Sequence, residues 1–455
     1  MTAGSDPASS GAVPDGGAPA AVVPLPSPTG LVLQPFRALR FDTAAAGDLA
    51  TLTSPPYDVI DADGVSALEA SNDHNVVRLI LPREPVGSGS DTGRGPRADR
   101  YAAARRTLEH WRAEGALVPD AVPALYVYEQ ADAHSGHVQR GLLGALALTP
   151  PEDDIVLPHE NTMAGPVSDR LALYNAVDAD LEPIFLVYDG GGAASRAVAE
   201  ADAGDPLLDV VLPDGLRHRI WAITEQVRLD DIAADLHPRK ALIADGHHRY
   251  ATYLQRQGER RAAGLGPGPW DLGLTFLVDA TAFGPEVHPI HRVVPGQPAE
   301  QLAERAAAGM SVRAVSGGLP GALAELTEAT GPAYVLTDGD AAWLLDQPDA
   351  GQLAAALPAE HSDAWKALDV SVLHGYVVPT LWQLPDTVDT VGYEHDVDAA
   401  VAAARRTGGT AVLLNPTPVA AVAAVAAGGE RMPRKSTLFT PKPRTGLVLR
   451  DYRDA

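Results

Sequence analysis

A chain of 455 residues is too long for one small core and suggests two or three domains. Its formal net charge of −24 disfavours a nucleic-acid backbone or an anionic membrane as main partner, since both would be repelled over most of the surface. The lack of cysteine excludes disulfides, thiolate zinc sites and thiol nucleophiles and points to a cytoplasmic protein, while the acidic surface agrees with a small-molecule substrate.

Residues 1–28 are rich in Ala, Gly, Pro and Ser and lack the basic start and apolar stretch of a secretory signal; they are expected to be a disordered tail. No run approaches the roughly 18 uninterrupted apolar residues of a membrane helix. The structured chain is expected to begin with LVLQPFRALRF from Leu31, followed by the turn-rich SPPYDVI (54–60) and a strand in NVVRLIL (75–81). A Gly/Ser/Pro loop is expected over 84–96. Over 101–115 the spacing of Tyr101, Ala104, Leu108 and Trp111 predicts an amphipathic helix. ALYVYEQ (124–130) and RGLLGALAL (140–148) predict a hairpin, and the segment 155–177 joins it to a strand in EPIFLVYD (182–189). Further strands are expected in HRIWAIT (218–224), KALIA (240–244) and DLGLTFLVD (271–279). Beyond about Glu300, strand-like runs such as TAVLLNP (410–416) alternate with Ala-rich helical stretches. The pattern is α/β in the mixed α+β sense rather than a regular βαβ repeat. It is expected to divide into an N-terminal α/β portion over 29–150, a central portion over 151–300 that carries the two densest polar motifs, and a C-terminal α/β portion over 301–455.

KALIADGHHRYATYL (240–254) carries the densest chemistry. An apolar strand runs into Asp245 at an N-cap position, so that His247, His248 and Arg249 fall in the first helical turn. A helix start offers free N–H groups and a positive dipole end, Gly246 permits close approach, and Arg249 adds a donor fork; together these outline a phosphate site. Asp245 is equally suited to a metal ion or a substrate hydroxyl, and a plain capped helix with solvated side chains is the competing reading.

PHENT places His159, Glu160, Asn161 and Thr162 after the apolar 155–157, with Asp169 and Arg170 following, and Glu160 is the candidate general base. A loop that satisfies its own backbone is the alternative. HPIH places His288 and His291 near a strand, but adjacent His247 and His248 diverge by about 100° on a helix and no HExxH occurs, which argues against zinc. No Walker, dinucleotide or nucleophile-elbow motif is present, and Gly190–Gly192 reads as a turn. Finally, 432–449 places Arg434, Lys435, Lys442 and Arg444 in an acidic chain, with Ser436, Thr437 and Thr440 as hydroxyl donors, a basic loop able to meet phosphates.

Taken together, Pro35–Phe36–Arg37 with Arg40, PPYDVI (55–60), HENT with Asp169–Arg170, ADGHHRY (244–250) and the stretch 433–447 resemble the bacterial and archaeal domain-of-unknown-function family 1015. That family is in turn similar to the ParB/sulfiredoxin superfamily, which includes free serine kinases and CTP-binding switches. The resemblance implies a ParB/sulfiredoxin-like central domain and a kinase acting on a small hydroxylated metabolite, with free L-serine foremost, using Mg²⁺ and a nucleoside di- or triphosphate. It implies catalytic roles for Glu160, Asp245 and His247, with Asp245 on Mg²⁺ or the acceptor hydroxyl. Gly246, His248, Arg249, Arg434, Lys435 and Lys442 would hold the nucleotide. A nucleotide-sensing switch without metabolite kinase activity and a metal-dependent hydrolase are the alternatives.

Overall fold

The computed structural model describes residues 28–83 and 97–454; the expected tail, save residue 28, and the expected loop over 84–96 lie outside them. Long apolar runs build the central sheet. From one edge its strands are Val156–Leu157, Ala241–Asp245, Ile184–Tyr188, Leu272–Asp279, Val138–Ala147, Leu125–Ala131, Arg217–Ile223 and Leu208–Val211, with Leu33–Gln34 added beside Val138–Ala147. The predicted hairpin forms, Tyr126 facing Leu143 and Gln130 facing Gln139. Only the contacts of Ala241–Asp245 with Val156–Leu157 and of Leu272–Asp279 with Ile184–Tyr188 are parallel. Leu125 to Gln130 are buried without alternation, as strands covered on both faces must be. The sheet takes strands from both sides of residue 150.

The expected amphipathic helix runs over Arg97–Ala113 and buries Tyr101, Ala104, Leu108 and Trp111. Two elements differ from expectation. The run 75–81 is not a strand but contains the short helix Val77–Ile80. Asn75 Oδ1 accepts the Val77 N–H at 2.9 Å while its amide donates to the Thr51 carbonyl at 2.7 Å, so a local side-chain turn starts a helix where the apolar run alone suggested extension. The segment 155–177 ends in the helix Ala164–Val177, which packs on the helix His247–Ala262 with Tyr174 stacked on Tyr253 at 5.4 Å.

A second, wholly antiparallel sheet has the order Ser311–Ala314, Ala342–Asp346, Tyr334–Thr337, Thr410–Leu413, His291–Val294, Gly392–Glu394. The chain after it then returns across the first sheet. Leu438–Thr440 pairs with Glu286–His288, and Arg450–Asp451 with Ala179–Asp180. Arg450 Nη1 reaches Asp180 Oδ2 at 2.8 Å, both side chains buried. This return strap places residues 432–449 against the end of the strand Ala241–Asp245, and a cavity forms there.

Candidate active site

Asp245 is the last residue of its strand, and Gly246, with φ 94°, occupies the N-cap of the helix His247–Ala262. This corrects the expected N-cap: the reversal needs a left-handed residue, which Gly supplies without a Cβ penalty. A Cβ at Gly246 would also lie 3.1 Å from the Arg249 guanidinium. Asp245 is therefore free to pair, and its Oδ1 lies 2.7 Å from Lys442 Nζ while Oδ2 accepts Arg249 Nη2 at 2.5 Å.

Arg249 corrects a second expectation. Its guanidinium is buried and points into the protein, donating through Nη1 to the Pro183 carbonyl and through Nη2 to Asp245. Burial opposes its charge, but Asp245, Glu182 and Asp58 outweigh that and raise its pKa, so it is a fixed cation in the cavity wall, with Nη1 and Nη2 already bonded rather than held open as a phosphate fork. Arg434 is a third correction: it lies at the surface, with Nη2 on the Asp386 carbonyl at 3.2 Å, away from the cavity.

The other expected residues do converge. Glu160, Asp245, Gly246, His247, His248, Lys435 and Lys442, together with Arg249, all line one cavity of about 330 Å³. Glu160 sits beneath the strap, where burial raises its carboxyl above the ordinary range against the pull of Lys435, Lys442 and the Ser436 N–H. Lys442 Nζ bridges Asp58 Oδ2 at 2.8 Å and Asp245 Oδ1 at 2.7 Å, and these carboxylates outweigh burial to keep it charged. Lys435 is exposed in the wall, at φ 56°, its carbonyl accepting from Arg292 Nη2 at 3.0 Å.

The histidines act as neutral groups. His247 is buried, which lowers its pKa well below the ordinary value with help from His159; its Nε2 accepts the His159 N–H at 3.3 Å. Nδ1 is therefore its proton-bearing nitrogen. His248 Nε2 accepts the Met163 N–H at 3.1 Å, and burial lowers its pKa too. His159 is not a site group: it is fully buried, with Nε2 2.9 Å from Thr437 Oγ1, and pins the strap to the sheet edge.

Three lining groups were missed in the sequence. Tyr57 and Asp58 come from the SPPYDVI turn, whose central YD was a visible signal read only as a turn. The Tyr57 N–H donates to buried Glu182 at 3.0 Å and the Arg170 guanidinium covers its ring at 4.4 Å. His395 reaches the cavity from the second sheet's side and carries no local sequence signal.

The Mg²⁺ expected on Asp245 does not fit this arrangement, because both carboxylate oxygens are already held by cationic side chains. Among the described residues no group of three or more His, Asp or Glu side chains gathers as a metal site. His288 is beside Glu286 at 3.5 Å, whereas His291 Nδ1 accepts the Leu414 N–H at 3.3 Å. The glycines at 190–192 form a turn whose N–H groups already meet carboxylates, Gly191 on Asp279 at 3.2 Å and the following Ala194 on Asp235 at 2.9 Å.

Fold and site define a mixed α/β protein in which two lysines, an arginine, a helix start and three carboxyls line one cavity. The chain belongs to the family described as a protein of unknown function, DUF1015, which matches residues 33–371; the strap that closes the cavity lies beyond the matched span. No curated protein matches it in sequence. Among solved structures it is similar to a variant free serine kinase in complex with ADP, at 13% identity and a TM-score of 0.32, over 63% of this chain and 84% of that one. It is also similar to a conserved hypothetical protein from Pyrococcus furiosus, at 15% identity and a TM-score of 0.31, over 64% and 88% of the two chains. A C-terminally truncated SbnI from Staphylococcus aureus gives 13% identity and a TM-score of 0.33, over 67% and 86%. Among the described residues no helix is long and apolar enough to cross a membrane.

Proposed function

We propose that the cavity is the active site of a nucleotide-dependent phosphotransferase acting on the hydroxyl of a small metabolite in the cytoplasm, with L-serine the leading acceptor. The observation that carries this reading is the convergence of Glu160, Lys435, Lys442 and the start of the helix His247–Ala262 on one cavity. Phosphoryl transfer asks mainly for positioning and charge neutralisation. Lys435 and Lys442 meet the phosphate oxygens, and the N–H groups at the helix start add fixed positive potential. Glu160 takes the acceptor's proton as its oxygen forms the new bond to phosphorus; the bridging oxygen leaves with the nucleotide and carries the negative charge. Burial suits Glu160 to this role, since it strengthens the carboxylate as a base. No step is assigned to a metal ion.

The test is a thermal-shift screen of nucleoside di- and triphosphates on the whole protein, followed by a product assay with serine. A nucleotide at about a hundred times its dissociation constant stabilises by about 2.7 kcal/mol. Absence of any shift across the panel overturns the reading. A shift without transfer to any hydroxylated acceptor favours the nucleotide-sensing switch, which needs the lysines but no base.

A further inference from the structure

Arg292 lies on the strand His291–Val294 of the second sheet and is wholly buried. Among the described residues no carboxylate pairs with it. Asp386, which acts on it from a distance, is bound instead to His374 Nδ1 at 2.8 Å and stands 3.8 Å from Arg434 Nη2. Burial lowers the Arg292 pKa to about 10 against the pull of Tyr393 and Asp386, which still leaves it cationic at neutral pH. A buried cation without a counter-ion destabilises a fold, so the reason for this one lies in what it holds.

All three guanidinium nitrogens are engaged, and two of them grip the backbone of the main cavity. Nη1 donates to the Ile290 carbonyl and Nη2 to the Lys435 carbonyl at 3.0 Å, and Ile290 and Lys435 both line the cavity. One planar fork thus ties the start of the second sheet to the strap where the two form the same wall. Nε donates to His374 Nε2 at 3.1 Å. His374 is therefore neutral, with its proton on Nδ1, from which it donates to Asp386 Oδ1. It comes from the helix Leu373–Leu381, which is wound as a π-helix, a winding that recurs at functional sites. Tyr393, opposite Arg292 on the neighbouring strand, covers the guanidinium at 4.8 Å from its ring centre.

The Lys435 backbone needs such a hold. At φ 56° it keeps a left-handed conformation that a side chain disfavours, inside a tight turn where Ser436 Oγ donates to the Pro433 carbonyl. Lysine side chains are flexible, so where Lys435 Nζ can reach depends on how firmly this turn is set.

We propose that Arg292 is a positioning residue that sets Lys435 in the cavity wall, and that His374 and Asp386 hold it in line. The proposal rests on the reading of Lys435 as a phosphate contact and adds the buried group of the second sheet through which that contact is made. Arg434, next to Lys435 but outside the cavity, takes its place as the outer partner of Asp386.

The experiment measures two things on the whole protein: hydrogen exchange of the segment 433–437 by mass spectrometry, and ADP affinity by titration calorimetry. The variants are Arg292→Lys, which keeps the charge but loses the fork, Lys435→Ala, and the two combined. Arg292→Lys should speed exchange over 433–437 and weaken ADP by about tenfold, as the loss of a well-set contact to a charged ligand requires. In the Lys435→Ala background it should cost nothing further, because a residue that acts through Lys435 has then lost its lever, whereas damage to the fold at large would add. Asp386→Asn, at a partly exposed position, runs the same cycle if Arg292→Lys does not fold. Exchange over 433–437 that neither substitution changes, or ADP losses that add to that of Lys435→Ala, overturns the assignment. Faster exchange in a protein whose parental form has no affinity for ADP would keep Arg292 as the support of Lys435 and sink the nucleotide reading.

Discussion

Glu160 and Arg249 are a carboxylate and a cation with opposite fates. Glu160 is raised by burial, so its base form is complete only above a pKa higher than that of an ordinary glutamate. Turnover should therefore rise with pH through that raised value and fall away below it. Glu160→Gln keeps the shape and removes the acceptor of the proton; we expect nucleotide affinity to persist and turnover to drop by roughly 10²–10⁴-fold, read by single-turnover product formation. Transfer at the parental rate would place proton abstraction elsewhere. Arg249, by contrast, is structural: truncating it to Ala removes the cation that holds Asp245 Oδ2 and the nearest counter-charge of buried Glu182, leaving Lys442 on Asp245 and Arg170 near Glu182. Breaking such a buried pair costs about 3–5 kcal/mol, so urea titration of Arg249→Ala should show a lower midpoint. An unchanged midpoint would mean the cation is dispensable to the fold.

The element that makes the site is the strap over 432–449, laid on the end of the strand Ala241–Asp245. It is fastened at several points. The Met432 N–H donates to the His159 carbonyl at 2.8 Å, Thr437 meets the His159 ring, and the facing glutamines of the hairpin, Gln139 and Gln130, donate to the Pro441 and Lys442 carbonyls at 2.9 Å each. This explains two buried glutamines in otherwise apolar strands: they satisfy a loop's backbone. His159 makes the fastening pH-dependent. Burial lowers its pKa from 6.5 to about 4, so between those values the unfolded chain binds a proton that the folded one does not. Its contribution is present in full above pH 6.5 and is lost as pH falls toward 4, amounting to about 3 kcal/mol at most. Buried His291, also lowered to about 4, acts with the same sign. Thermal melts across this window should therefore slope downward toward acid, and His159→Gln should flatten the slope; an unaltered slope would assign it to other groups.

At the scale of the whole molecule, the cavity exists only because three distant parts of the chain meet. Asp58 comes from the N-terminal portion, Glu160 and Asp245 from the centre, and His395 from the second-sheet portion with Lys435 and Lys442 from the strap that follows it. The strap is also part of the core, with Phe439, Leu447, Val448 and Leu449 buried and Arg450 paired to buried Asp180. Ending the chain before residue 432 would expose those contacts and leave Asp180 without its cation. Such a protein should lose its cooperative urea transition and become a ready substrate for proteases in limited digestion. A truncated chain with a parental melting profile would show that the strap merely lies on a finished fold.

The local physics of the sequence sufficed for much of this. Continuous apolar runs specify buried strands, the 101–115 spacing specifies a helix, polar clusters at strand ends marked Glu160, Asp245 and His247, because such groups are seldom placed beside apolar runs without a partner or a task, and a basic loop in an acidic chain marked Lys435 and Lys442. Periodicity could not tell the short helix Val77–Ile80 from a strand, since a run buried on all sides loses its period and a single Asn75 side chain decides it. Nor could it say which charges face inward. Arg249 and Arg434 look alike as cations near a motif, yet one is bonded to Asp245 and Pro183 in the cavity wall and the other lies on Asp386 outside it. Tyr57 and Asp58 were visible only as a turn, and His395 was silent, for the same reason. Which partner a charge finds is set by the packed fold rather than by its local motif, and a pair such as Lys442 on Asp58 forms only because the strap returns across the first sheet.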